Sequence, residues 1–273
     1  MIGPLAQLIA LVAYGNDFLR NGNVPADFDS SNTTFQYCNK VDFRDFKKIS
    51  LSSKTEEGVI AKCPTEWFKH LKDSGCKRLR LWHECSKDQS FAKDYKLAGF
   101  VGGGGVWLIE ALHSNCCNYW ANRWEVTKEN APDKKIWSVN YAMVVKRQCS
   151  INMKIDEQKV KRELRHTLTE IVDFAREQNL NYWAEQFNRS ITILDSISPN
   201  EEYYHKDLIP LDNFSLIAQQ ILFSAGSAWV FGGMGSWNDL GFDSKEDNDT
   251  YERLSEQLFS NIIDAIIAGI NTF

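Results

Sequence analysis

The 273-residue sequence lacks the cysteine spacing that marks most disulfide frameworks and zinc sites. It has seven cysteines, an odd number, and no CxxC pair. The only adjacent pair is Cys116 and Cys117, and neighbouring cysteines seldom form a disulfide without strain. A reducing compartment is therefore favoured, and we expect a cytoplasmic chain whose thiols are mostly small buried side chains.

The sequence also lacks a basic segment ahead of its first apolar run. A secretory signal peptide begins with positive charge, but the first arginine here is Arg20. The uncharged run ends at Asn16-Asp17 and is too short to span a bilayer, so no membrane association is expected. A first amphipathic helix packed on the core is predicted by apolar residues near helical spacing: Leu5, Leu8, Ile9, Val12 and Leu19.

Excess positive charge is absent as well. The formal net charge is −5, which disfavours nucleic acid as a partner and favours a basic protein. Hydrophobic residues make up 43% of the chain and charged residues 25%, values typical of a folded domain. At this length the chain can bury a full core as one large domain or as two small ones.

The first half of the chain has the pattern of a sheet with one inserted helix. Pro64 and Gly75 mark the start and end of that helix, and residues 50–58 have the composition of a polar loop. Short polar or glycine-containing links favour an antiparallel meander. Strands are predicted at residues 34–46, 77–84, 105–112, 119–126 and 135–147.

The second half has the pattern of helices. Apolar stripes with polar opposite faces predict them, and a loop is predicted over 198–210. We expect an α+β fold with a mainly antiparallel N-terminal sheet and C-terminal helices packed on it. It is a single domain over 1–273, strand-rich over 1–150 and helix-rich over 151–273, since no linker composition separates the halves. The helices are predicted at 156–180, 181–197, 211–226 (capped by Asp212 or Asn213) and about 249–268.

Two glycine-rich segments raise the question of a ligand site. Residues 102–105 are four consecutive glycines, but no Lys, Ser or Thr follows as a phosphate loop requires, so a loop or bulge is expected. In 230–239, Ala228–Phe231 is predicted as a short edge strand, followed by a glycine turn. Trp237 is expected to fold back on the core, and Asn238-Asp239 to close the turn through their side chains.

Metal and catalytic signatures are incomplete. His83 and Cys85 share one face of a predicted strand, but zinc would need two more ligands, for which His113 and Cys116 or Cys117 are the candidates. GxSxG is absent. Residues 243–252 resemble a calcium loop in composition only, and helix capping by Asp or Asn is the better interpretation. No metal, cofactor or catalytic residue is therefore predicted.

Three segments carry a family resemblance: 228–242 (AWVFGGMGSWNDLGF), 251–266 and 102–111. They are similar to a set of bacterial proteins encoded beside secreted toxins and regarded as immunity proteins. The resemblance implies a cytoplasmic, non-catalytic protein that binds and blocks one cognate toxin. The family supplies no site residues at these positions.

Acidic, aromatic-bearing segments are the natural contacts for a basic toxin, because opposite charge steers encounter and Tyr and Trp dominate binding hot spots. Two such segments are 198–207 and 238–252. The predicted partner-binding residues are Glu201, Glu202, Tyr203, Tyr204, Trp237, Asp239, Asp243, Glu246, Asp247 and Asp249.

Two other functions remain open from the sequence. One is an enzyme, a hydrolase or transferase, with its site near segments 102–105 and 232–239, for which His83, His113 and Asp239 are the residues to substitute. The other is a structural subunit whose apolar helix faces pack on partners.

Overall fold

The computed structural model describes residues 1–48, 55–100, 102–148 and 153–272. Six strands form one sheet, and the predicted strands are confirmed with bounds shifted by a few residues. The segment predicted as a polar loop, 50–58, was partly wrong: residues from Thr55 onward pair with the preceding strand, and 50–54 lie outside the described residues. The strands are β1 (Cys38–Lys48), β2 (Thr55–Ala61), β3 (Arg78–Glu84), β4 (Val106–Leu112), β5 (Cys117–Val126) and β6 (Trp137–Gln148).

The sheet has the order β2-β1-β6-β5-β4-β3. Strands β3 to β6 form the predicted antiparallel meander, and β1 with β2 forms a second antiparallel pair. The two groups join where β1 lies parallel to β6. The mainly antiparallel sheet is thus confirmed, with one parallel pairing that the link lengths between neighbouring strands could not indicate.

Four long helices of the second half form an up-down-up-down bundle, in which each helix contacts its sequence neighbours and the first contacts the last. Two contacts along each pair show the antiparallel directions. Gln220 Nε2 donates to Ser196 O and Ser224 Oγ to Ser190 O, both at 2.8 Å. Gln257 Nε2 donates to Thr167 Oγ1 at 3.0 Å and Asn261 Nδ2 to Glu163 O at 3.4 Å. The helices are α5 (Glu157–Glu177), α6 (Asn181–Asp195), α7 (Leu216–Ser227) and α8 (Lys245–Asn271).

Two predicted helix starts were wrong. α7 begins after a 3-10 turn over Leu211–Asn213, and its cap is Ser215, whose hydroxyl accepts from Ala218 N, rather than Asp212 or Asn213. α8 begins at Lys245, capped by Ser244 rather than by Asp or Asn. In both places the sequence offers several capping residue types in a row, and only the backbone path selects one.

The first helix, α1 (Gly3–Asn21), differs from the amphipathic helix predicted. Thirteen consecutive residues, Leu5 to Asp17, are buried, because the helix packs on β3 and β4 and also contacts α8 and the helix α3 (Pro64–Asp73). Two short helices complete the described fold, α2 (Phe28–Ser31) and α4 (Asp94–Leu97). The apolar residues of sheet and bundle form one continuous core cluster.

Two asparagine side chains form hydrogen bonds with the outer edge of the edge strand β3. Asn16 of α1 accepts from Leu79 N at 2.7 Å and donates to Leu79 O at 2.9 Å. Asn271 of α8 makes the same pair of bonds with Leu81, both at 2.8 Å. These amides replace the neighbouring strand that β3 lacks and tie the sheet to α1 and to the bundle.

Candidate functional site

The structure brings the two glycine-rich segments into one cluster of loops. Gly99 and Gly232 touch through their backbones: a Cβ on Gly99 would lie 2.1 Å from the carbonyl carbon of Gly232. Asn238 Nδ2 donates to Tyr95 O at 3.0 Å, joining the second segment to α4. Gly102, Gly104 and Gly105 all have positive φ, near 80°, which explains the glycine run by backbone geometry.

The polar groups around this cluster support the backbone. His83 Nε2 lies 3.0 Å from Gly104 O and donates to it, and burial lowers the pKa of His83. The carboxylate of Asp239 accepts from Gly235 N. The two residues with the most suitable chemistry for catalysis are therefore engaged in holding the two glycine-rich turns.

The zinc alternative is wrong for a geometric reason. His83 pairs with Trp107, whereas Leu112, next to His113, pairs with Arg78. The two histidines thus lie at opposite ends of the β3–β4 pair, about 17 Å apart at 3.3 Å per residue. Across the described ranges, no group of three or more His, Cys, Asp or Glu side chains could hold a metal ion.

Trp237 is an interior residue, and its predicted role as a partner anchor is corrected. Its side chain is 0% exposed, and Nε1 donates to Ser255 Oγ at 2.7 Å. The ring packs edge-on against Phe187 and Trp183 of α6. The predicted fold-back of Trp237 on the core is confirmed, whereas Ala228–Phe231 forms no strand and precedes a 3-10 turn over Trp237–Asp239.

The predicted contact residues in 198–207 divide into exposed and partly buried members. Glu201 and Glu202 are exposed, and Tyr204 is 65% exposed, with its hydroxyl accepting from Gln36 Nε2 at 2.6 Å. Tyr203 instead packs against Phe223, and a Cβ on Gly226 would lie 2.5 Å from its hydroxyl oxygen. Burial raises the pKa of Tyr203, as expected for a ring set into the bundle.

The two predicted contact segments follow different ends of α6. Trp237 packs against Trp183 and Phe187 in the first half of α6, whereas 198–207 follows the end of the same helix. Tyr203 nevertheless packs beside Gly226 at the end of α7, so the two segments approach each other there.

The segment 238–252 carries the stronger charge. Residues 239–256 contain seven acidic and two basic residues, a net charge of −5 that equals the charge of the whole chain. Residues 245–252 belong to α8 rather than to a loop. A shallow depression of about 540 Å³ on α8 is lined by Asp249, Glu252, Arg253 and Glu256, among others.

Some of this charge is neutralised locally. Lys245 pairs with Asp249 at 2.9 Å, Lys96 with Glu252 at 2.6 Å and Lys93 with Glu256 at 3.1 Å. Within the described parts of the chain, Asp243, Glu246 and Asp247 form no ion pair. These three carboxylates surround the first turn of α8, where the helix dipole favours negative charge. We call Asp243, Glu246, Asp247 and Asp249 the acidic start of α8.

Sequence reasoning missed three apolar side chains beside this segment: Phe91, Phe100 and Met234, which are 97%, 63% and 102% exposed. Their sequence context offered a weak signal, since each stands in a polar or glycine-rich stretch. Exposure itself could not be inferred, because Trp237, in an equally polar stretch, is buried.

Comparisons with protein-family models, with curated proteins and with solved structures gave no match. Among the helices as far as they are described, none is long and apolar enough to cross a membrane.

Proposed function

We propose that the protein is a non-catalytic immunity-type protein that binds one cognate, basic bacterial toxin and neutralises it by occluding it. The observation that carries the proposal is the net charge of −5 over residues 239–256, concentrated around the exposed acidic start of α8. The resemblance of 228–242 and 251–266 to immunity proteins supplies the class of partner.

The physical basis is electrostatic complementarity. A concentrated acidic surface attracts a basic partner over roughly a Debye length, about 8 Å at physiological salt, and speeds productive encounter. An inhibitor of a toxin gains from fast association, because the toxin acts until it is bound. Association should therefore slow steeply as salt is added.

The proposed place of action is the cytoplasm. The six cysteines that the structure describes are all free thiols, a state that persists in a reducing compartment. This agrees with neutralisation of a toxin inside the cell that carries the genes for both proteins.

The central experiment mixes the purified protein with the product of the neighbouring gene, the proposed toxin. We expect a stable complex in size-exclusion chromatography and survival of cells that express both proteins. Absence of a complex together with no protection of the cells would refute the proposed function.

A second experiment locates the contact by stopped-flow association kinetics. The Asp243→Asn/Glu246→Gln variant removes two exposed charges from the acidic start of α8, and should lower the association rate about 10-fold at low salt. The matched control, Glu201→Gln/Glu202→Gln, removes two exposed charges beyond the far end of α6 and should change the rate less than about 2-fold. The reverse pattern would move the contact to 198–207.

A further inference from the structure

Three exposed apolar side chains stand on the loops that adjoin the acidic start of α8. Phe91 and Phe100 lie on either side of α4, and Met234 lies in the second glycine-rich turn. Met234 and Phe91 are essentially fully exposed and Phe100 is 63% exposed. We call these residues the apolar loop tips.

A backbone contact links the loops of two tips, Phe100 and Met234. Phe100 directly follows Gly99, and Met234 is two residues beyond Gly232, so the Gly99–Gly232 contact places the two side chains on neighbouring chain segments. The loop that carries Phe91 is fastened to α8 by the ion pair of Lys93 with Glu256, and α4 by that of Lys96 with Glu252. The loops that carry the three tips therefore all pack on the N-terminal half of α8, which we call their base.

The backbone beneath the tips is supported by packed residues. Tyr95 is 2% exposed and packs edge-on against Phe231, which is 1% exposed, with ring centroids 6.0 Å apart. The buried carboxylate of Asp94 accepts from Ser86 N at 2.9 Å. A partner that covers the tips would therefore order mainly their exposed side chains.

Charge complementarity selects the occupant. The tips adjoin the segment 239–256, whose net charge is −5, and residues 85–100, which carry Phe91 and Phe100, have a net charge of +1, so the two segments together have a net charge of −4. Lys93 and Lys96 pair with Glu256 and Glu252, and the remaining negative charge lies at the acidic start of α8. This net negative charge repels an anionic lipid surface and a second copy of the same face, and it favours an apolar pocket with Lys and Arg beside it.

We propose that Phe91, Phe100 and Met234 anchor the partner by entering an apolar pocket with a basic rim, while the acidic start of α8 faces that rim. This inference rests on the proposed function and names the surface and the partner chemistry for it. Exposed apolar side chains grouped on one surface commonly mark such protein contacts.

The test uses the 273-residue chain and the product of the neighbouring gene, the proposed toxin. The variants are Phe100→Ser/Met234→Ser, Phe91→Ser and the triple combination. The matched control is Ile197→Ser, which removes an apolar side chain that is 87% exposed beyond the far end of α6. Calorimetry measures Kd, and thermal unfolding checks that every variant folds as the wild type does.

We expect the triple variant to raise Kd at least about 100-fold and the double variant at least about 10-fold, since buried anchors dominate binding energy. Ile197→Ser should stay within about 2-fold. Wild-type binding of the toxin together with an unchanged Kd for the triple variant would overturn the surface while leaving the proposed function intact. Absence of any wild-type complex would overturn both.

Two further measurements test whether a second copy of the chain or a lipid surface covers the tips instead. Light scattering measures whether the wild type is a dimer and whether the triple variant is a monomer. Flotation with vesicles of anionic phosphatidylserine or zwitterionic phosphatidylcholine measures whether the tips bind lipid. A monomer that does not float with either vesicle is expected. A dimer or vesicle binding that the triple variant abolishes would overturn the assignment to a basic protein.

Discussion

Trp237 holds the second glycine-rich turn by three kinds of contact. Its indole donates to Ser255 Oγ, its carbonyl oxygen accepts from Tyr251 Oη at 2.7 Å, and its ring packs against Phe187. Because the adjoining turn carries Met234 and Asp239 to the surface, the buried ring fixes the position of the exposed residues. Trp237 thus supports the candidate surface from the interior without being part of that surface.

Two substitutions of Trp237 should lower the free energy of unfolding by different amounts. Trp237→Ala removes the ring and leaves a cavity, so we expect a loss of about 3–5 kcal/mol in the free energy of unfolding. Trp237→Phe keeps most of the packing but leaves Ser255 without its donor, which should cost about 1–3 kcal/mol. Urea denaturation measures both. Wild-type stability of Trp237→Ala would contradict the structural role.

At the scale of the element, β3 illustrates how a sheet edge is closed by side chains. Leu79 and Leu81 would otherwise present unpaired backbone groups inside the protein, where no strand lies beside them. Asn16 and Asn271 satisfy all four groups, from two different helices. The edge strand is thereby held between α1 and α8 rather than left open to another chain.

The isosteric variant Asn16→Leu tests this closure. It leaves the N–H and C=O of Leu79 buried and unpaired, at about 1–3 kcal/mol each, so a loss of about 2–5 kcal/mol is expected. The matched control is Asn23→Leu, an exposed residue just beyond the end of the same helix, which should change stability by less than about 1 kcal/mol. Equal effects in urea denaturation would show that the Asn16 bonds contribute no net stability.

At the scale of the whole molecule, α1 lies between the sheet and the four-helix bundle. It contacts β3, β4 and α8, and the apolar residues of both parts form one cluster. We therefore predict that the chain unfolds as a single domain. Tryptophan fluorescence reports on both parts, since Trp120 lies in the sheet and Trp237 beside the bundle.

This prediction is tested by following urea unfolding with two probes. Far-ultraviolet circular dichroism, dominated by the helices, and tryptophan fluorescence should give the same midpoint and the same slope. Two separated transitions would instead indicate that the strand-rich and helix-rich halves are distinct domains.

The pH dependence of stability is also a property of the whole molecule. Burial lowers the pKa of His83 and of His205 below the ordinary value of 6.5. The unfolded chain therefore takes up protons first as pH falls. The stabilisation is complete above about pH 6.5 and is lost as the pH falls toward the folded pKa values.

Urea midpoints at pH 7.5 and 5.5 check this sign. The wild type should be less stable at pH 5.5, and the His83→Gln/His205→Gln variant should show a smaller difference between the two pH values. Greater wild-type stability at pH 5.5 would contradict the prediction.

Local patterns in the sequence determined the elements. Alternation along 77–84 and apolar stripes along 156–180 depend on residues that are near neighbours in the chain, so the bundle helices, the α+β class and every described strand except β2 follow from such patterns. For Trp237 the sequence predicted both a fold-back on the core and a partner contact, so it left the burial of this ring open.

Only the tertiary structure decided contacts between distant segments. The parallel pairing of β1 with β6, the burial of α1 on all sides and the role of Asn16 at the edge of β3 each depend on partners far away in sequence. Contacts with distant segments also decide which apolar residues are buried. Trp237 packs against the bundle helix α6, whereas Phe91, Phe100 and Met234 stay exposed. Exposure is a property of the packed chain, and residue type alone does not carry it.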